Sequence, residues 1–120
     1  MPKIFDSELR FMQIVWEFAP VGSGELVKLA FERLGWKKST VYTVIRRLAE
    51  RGVLANRGGI IHALVTREET QREEGAELLS RSFGGSLPGF VAAFANAKAI
   101  SREDAEAIRR IIDAYEEGER

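Results

Sequence analysis

The stretch Trp36-Lys-Lys-Ser-Thr-Val-Tyr-Thr-Val-Ile-Arg-Arg-Leu-Ala-Glu-Arg-Gly52 decides how this chain of 120 residues is read. Val41, Val44, Ile45 and Leu48 recur at i, i+3, i+4 and i+7, the spacing that gives an α-helix one apolar face. Ser39 is placed to cap the first free amides, and Gly52 can take the left-handed conformation that closes a helix, so a helix over 39–51 is expected. At about 100° per residue, the opposite side carries Ser39, Thr43, Arg46 and Glu50, flanked by Thr40, Tyr42 and Arg47. Hydroxyls and guanidinium groups are what a helix needs in the DNA major groove, where they reach base edges and phosphate oxygens. An ordinary solvated helix face would carry similar residues, and the surrounding chain decides between the two.

Working outward on the N-terminal side, a first helix is expected from Ser7 to Phe18. Asp6 or Ser7 caps it, Pro20 stops it, and Leu9, Met12, Ile14, Val15, Trp16 and Phe18 supply its apolar surface. Trp16 in such a surface is read as a core residue rather than a stacking platform for a ligand. A second helix opens at Gly22 and Ser23, with Ser23 as cap, and runs to Leu34 on a stripe of Leu26, Val27, Ala30, Phe31 and Leu34, with Gly35 ending it. Trp36, Lys37 and Lys38 alone join it to the third helix. Two helices joined so tightly, the second with a basic outer face, form a helix-turn-helix.

On the C-terminal side, Val53 to Arg57 and Ile60 to Val65 are β-prone runs around Gly58-Gly59, which predicts a hairpin and hence a winged helix with Arg57 beside the turn of the wing. His62, the single histidine, falls in the second strand and reads as a packed or edge residue. Thr66-Arg-Glu-Glu69 matches a capping box opening a further helix, charged and solvated at first, then apolar at Ala76, Leu79 and Phe83. Gly84-Gly85 breaks it. Ser86 and Pro88 start a short helix carrying Leu87, Phe90, Val91 and Phe94, and Ser101 caps a last one with Ala105, Ile108, Ile111, Ile112 and Tyr115 on one face.

The fold class expected is therefore mainly α (α+β). A winged helix-turn-helix DNA-binding domain over 1–66 is followed by a helical dimerisation region over 67–120. The last three helices are too thin to bury their apolar faces alone, and one winged helix reads only half of a symmetric site. Leu79, Phe83, Leu87, Val91, Phe94, Ile108, Ile111, Ile112 and Tyr115 are accordingly the expected seam of a homodimer.

Composition narrows the function. No cysteine and one histidine leave no basis for disulfides, cysteine zinc sites, thiol nucleophiles or multi-histidine metal centres, so neither cofactor nor metal is expected. An enzyme would have to work with carboxylates and lysines, and the Glu68 to Glu77 cluster has no phosphate loop or metal motif beside it. No apolar run reaches the roughly 18 to 20 residues of a membrane span, and the N-terminus lacks a signal-peptide pattern, so a cytoplasmic location without membrane partners is expected. Formal net charge is zero but unevenly spread: residues 36–57 hold six basic side chains against Glu50, a balance of +5, while residues 1–35 and 58–120 balance at −1 and −4. Local positive charge on one element is the electrostatic footprint of a nucleic-acid face.

Trp36, then Ser39-Thr40-Val41-x-Thr43-Val44-Ile45-x-Arg47-Leu48 and Gly52, preceded by the Leu9 to Trp16 helix and followed by Leu87-Pro88-x-Phe90-Val91-x-x-Phe94, resembles the penicillinase-repressor (BlaI/MecI/CopY) family. The resemblance covers most of the chain and is strongest over 36–54. It implies a dimeric winged-helix repressor that binds a palindromic operator, with Thr40, Thr43 and Arg47 matching the recognition-helix pattern and Ser39 and Arg46 at more variable positions of the same face. The copper-responsive branch carries a cysteine-rich metal site that this chain lacks. In the antibiotic-responsive branch a membrane sensor-protease is a further partner and triggers cleavage between Asn and Phe; the matching bond here is Ala93-Phe94, with alanine in place of asparagine. The wing is also shorter and less basic than is usual in the family.

The expected function is sequence-specific binding of double-stranded DNA by a repressor, with Lys37, Lys38, Arg47 and Arg57 on phosphates and Ser39, Thr40, Thr43 and Arg46 on bases. The alternative is a winged-helix protein-interaction module that does not bind DNA.

Overall fold

The computed structural model describes residues 2–119. Nine elements follow one another: α1 (Asp6–Phe18), β1 (Val21–Gly22), α2 (Ser23–Leu34), α3 (Lys38–Glu50), β2 (Leu54–Arg57), β3 (Ile60–Ala63), α4 (Arg67–Phe83), α5 (Leu87–Asn96) and α6 (Arg102–Glu119). The chain divides into two compact units, with the division between Glu74 and Gly75 inside α4.

In the first unit, α1, α2 and α3 enclose one core. Phe11, Met12, Val15, Leu26, Ala30, Val41, Ile45, Leu48, Val53, Leu54 and Ile61 are its best-buried side chains. The α3 stripe is buried as its spacing predicts, and Val41 and Leu48 are fully enclosed. In α1 the buried stripe is Glu8, Phe11, Met12 and Val15, at i, i+3, i+4 and i+7. Because this stripe begins on a carboxylate, the apolar pattern read from the sequence passed over Phe11. That ring is fully buried and stacks on Trp36 with centroids 5.5 Å apart and planes 12° apart. Leu9 is only half-buried and Phe18 is exposed. In α2, Phe31 is 67% exposed rather than packed, because it falls at the trailing edge of the stripe, on the far side of Val27 from Leu26 and Ala30. Trp16 is a structural residue, donating its indole N–H to the Val65 carbonyl at 2.9 Å and tying α1 to the chain after β3.

The helix ends differ from the expected caps. The N-caps of α1, α2 and α3 are Phe5, Gly22 and Lys37, none with a side-chain cap bond, so Asp6, Ser23 and Ser39 each lie inside their helix. At α1, Glu8 reaches back instead, accepting the Phe5 N–H at 2.9 Å. The end of α3 is as expected. Gly52 has φ +78°, its N–H donates to the Ala49 carbonyl, and the Val53 N–H donates to the Leu48 carbonyl, while Val53 and Leu48 are buried together. These paired bonds satisfy carbonyls that the helix end leaves open.

The wing is a two-residue hairpin, with Arg57 opposite Ile60 and both turn glycines at positive φ (Gly58 +62°, Gly59 +88°), the backbone a type I′ turn requires. The sequence reading missed its third strand. Val21 and Gly22 pair with Ile61 and Ile60, giving the antiparallel order β1-β3-β2 and placing His62, half-buried, on the central strand. Two residues are too short a run for alternation to show.

Thr66 caps α4, accepting the Glu69 N–H at 3.0 Å. The start of α4 is less solvated than its charge suggests: Thr70 is buried and bonds the Thr66 carbonyl, and the Arg67 guanidinium lies 5.9 Å from the centre of the Trp16 ring.

In the second unit Ser86 and Ser101 are caps as expected, accepting the Gly89 and Asp104 N–H groups at 2.9 and 3.0 Å. Phe83, Phe90 and Phe94 form an aromatic row with successive centroids 5.2 and 4.9 Å apart. An apolar groove of about 370 Å³ lies between α5 and α6, lined by Phe90, Val91, Phe94, Ile100 and Ile108 among others. No described residue from Gly75 onward is buried.

Candidate nucleic-acid interface

With its apolar stripe sunk in the core, α3 presents its other side to solvent. Lys37, Lys38, Ser39, Thr40, Arg46 and Arg47 are exposed and Thr43 is half-buried, while Arg57 is exposed on the wing next to its turn. Among the described residues no hydrogen bond engages the hydroxyls of Ser39, Thr40 or Thr43, and no ion pair engages Lys37, Lys38, Arg46, Arg47 or Arg57. Because Ser39 lies within the helix and does not cap it, its hydroxyl remains available to an outside partner.

One cation counted in the basic stretch does not belong to this surface. Arg51 donates to the Lys3 carbonyl at 2.9 Å, forms an ion pair with the buried carboxylate of Glu8, and lies over the Phe5 ring. Burial works against the charged form of Glu8, but the bonds from Arg51 and the Phe5 N–H, with the nearby positive charge of Arg51 and Arg47, outweigh it and hold the carboxyl below its ordinary pKa. The outward face therefore keeps five of the six cations against Glu50, a balance of +4.

The structure also joins the wing to α3 through two residues outside the expected set. The Ser23 N–H donates to the Gly59 carbonyl in the wing turn at 2.8 Å, and the Ser23 hydroxyl lies 3.2 Å from the Tyr42 hydroxyl on α3. Tyr42 was visible as a flank of the face, but a partner 19 residues away leaves no mark in local sequence.

The expected dimer residues are all in the second unit or at its edge. Leu87, Phe94, Ile108, Ile111, Ile112 and Tyr115 are exposed, whereas Leu79, Phe83 and Val91 are half-buried, Phe83 edge-on against Phe90. Among the described residues there is no cluster of potential metal ligands, and no helix is long and apolar enough to cross a membrane.

Three helices around one core, a hairpin wing and a hydroxyl-bearing basic face on the third helix define a winged helix-turn-helix DNA-binding protein. The family described as Penicillinase repressor matches residues 4–114, and this chain belongs to it, a family of DNA-binding transcriptional repressors and not of enzymes. The penicillinase repressor of Bacillus licheniformis is 24% identical over 119 residues, covering 96% of this chain and 93% of that protein. An uncharacterized 16.5 kDa protein of Latilactobacillus sakei is 38% identical over 52 residues, 43% of this chain and 36% of that one. The solution structure of the monomeric form of Bacillus licheniformis BlaI in complex with the blaP half-operator is similar to 57% of this chain and 88% of that one, at 24% identity and a TM-score of 0.48.

Proposed function

We propose that this repressor is a homodimer that binds a palindromic operator, each protomer laying α3 in the major groove of one half-site. The observation that carries the reading is the outward face of α3, where three hydroxyls and two guanidinium groups have no partner among the described residues. Ser39, Thr40, Thr43 and Arg46 read base edges; Lys37, Lys38, Arg47 and, from the wing, Arg57 hold phosphates.

Two-fold pairing through α4 to α6 is supported by the exposure of the second unit's apolar side chains, Ile111 at 69% and Tyr115 at 67% among them. The winged helix is assigned to 1–66 and the dimerisation region to 67–120. A repressor of this kind acts in the cytoplasm, where its operator lies. Release by a sensor-protease, the further partner implied by the resemblance, would act at Ala93-Phe94, two exposed residues of α5.

The proposal is tested by anisotropy titration of the purified chain against the duplex upstream of its own coding sequence and against random duplex, at two salt concentrations. Tight, salt-sensitive binding that prefers a palindrome supports it. Binding no better than to random duplex at either salt overturns it in favour of an interaction module.

A further inference from the structure

On α3, Lys38 and Tyr42 stand at i and i+4 along one flank of the outward face, on a ridge that runs on to Arg46 nearer the centre of that face. The flanks of a helix lying in the major groove meet the sugar-phosphate walls, while the centre of its face meets the bases. Halfway along this ridge the Tyr42 side chain, 39% exposed, ends 3.2 Å from the Ser23 hydroxyl, and the Lys38 ammonium lies 6.0 Å from the centre of its ring.

Two hydroxyls carry two protons, and the bond between them uses one. Whichever of the pair donates, the other keeps an O–H with no acceptor among the described residues. The Ser23 amide is already committed to the Gly59 carbonyl, which holds the Ser23 backbone against the wing turn, and the Ser23 hydroxyl in turn meets Tyr42. What the arrangement lacks is an acceptor, and with Lys38 alongside, an anionic one is favoured.

The geometry points to Tyr42 and Ser23, with Lys38, as a clamp for one phosphate of the DNA backbone in each half-site. This rests on the DNA-binding reading of α3 and adds to it two neutral residues, one of them from α2. The wing turn, α2 and α3 then meet the backbone as one unit, and the clamp sets how α3 sits in the groove without itself reading sequence.

The test uses the full chain and two labelled duplexes, one bearing a site enriched from a random library by the wild-type protein, the other of scrambled sequence. Tyr42→Phe keeps the ring and removes only the hydroxyl. It is expected to weaken both duplexes by the same factor, about three- to tenfold, with the salt slope unchanged. Lys38→Ala is expected to weaken both and lower the slope by about one. Thermal unfolding of Tyr42→Phe matching the wild type excludes a folding defect. Unchanged affinity in Tyr42→Phe, or a loss confined to the enriched site, overturns the clamp while leaving the DNA-binding reading intact. Failure of the wild type to bind either duplex overturns both.

Discussion

Arg51 and Glu8, 43 positions apart, form an ion pair at the foot of α3, with the carboxylate almost fully buried (Glu8 is 5% exposed). The same arginine holds the Lys3 carbonyl and the same carboxylate accepts the Phe5 N–H, so the pair fastens the N-terminal segment and the start of α1 to the end of α3. A side chain that looks from the sequence like one more cation for DNA is a fastening of the fold.

Arg51→Ala should therefore lower stability by about 1–3 kcal/mol by leaving a buried carboxylate without its partner. The salt slope of DNA binding should be unchanged in this variant, whereas Arg47→Ala should lower it by about one. Urea unfolding and salt-dependent anisotropy on the two variants check both halves.

The pair also sets an acid limit on stability. The Glu8 carboxyl has a folded-state pKa below its ordinary value, so the folded state binds its proton less readily than the unfolded chain does. The stabilisation is complete above the ordinary carboxylate pKa and is lost as pH falls through the depressed value. In Glu8→Gln, stability from pH 7 down through the carboxylate range should fall less steeply than in the wild type, as followed by urea midpoints.

Gly52→Ala should cost about 1–2 kcal/mol, since φ of +78° is a left-handed backbone that an alanine Cβ resists. Open space around that position means the penalty is conformational and not a clash. Thermal unfolding measures it.

Ile111→Glu should yield monomers that still fold but bind a palindrome no better than a half-site, because Ile111 is exposed on a helix with no buried residue. Sedimentation velocity and titration on full and half palindromes report the two effects. A wild type already monomeric at micromolar concentration would contradict the dimer.

Much of this was legible in the sequence because it is local. The α3 stripe, the Gly52 terminus, the Gly58-Gly59 turn and the Ser86 and Ser101 caps each depend on residues within one or two turns of one another. What escaped is long-range. The pairing of Val21 and Gly22 with β3, the stacking of Phe11 on Trp36, the diversion of Arg51 to Glu8 and the meeting of Ser23 with Tyr42 all join positions well apart in the chain. The caps expected for α1, α2 and α3 differ because these helices begin one or two residues earlier, where Phe5, Gly22 and Lys37 enter in extended backbone.

The claim at the centre of the account is that the outward face of α3 reads base sequence, and titration of Thr43→Ala and Arg46→Ala against an enriched operator duplex and a scrambled one tests it most directly. Each variant should lose about 1–3 kcal/mol on the operator and almost nothing on the scrambled duplex. Equal losses on both duplexes would contradict the reading role and reduce α3 to a backbone contact.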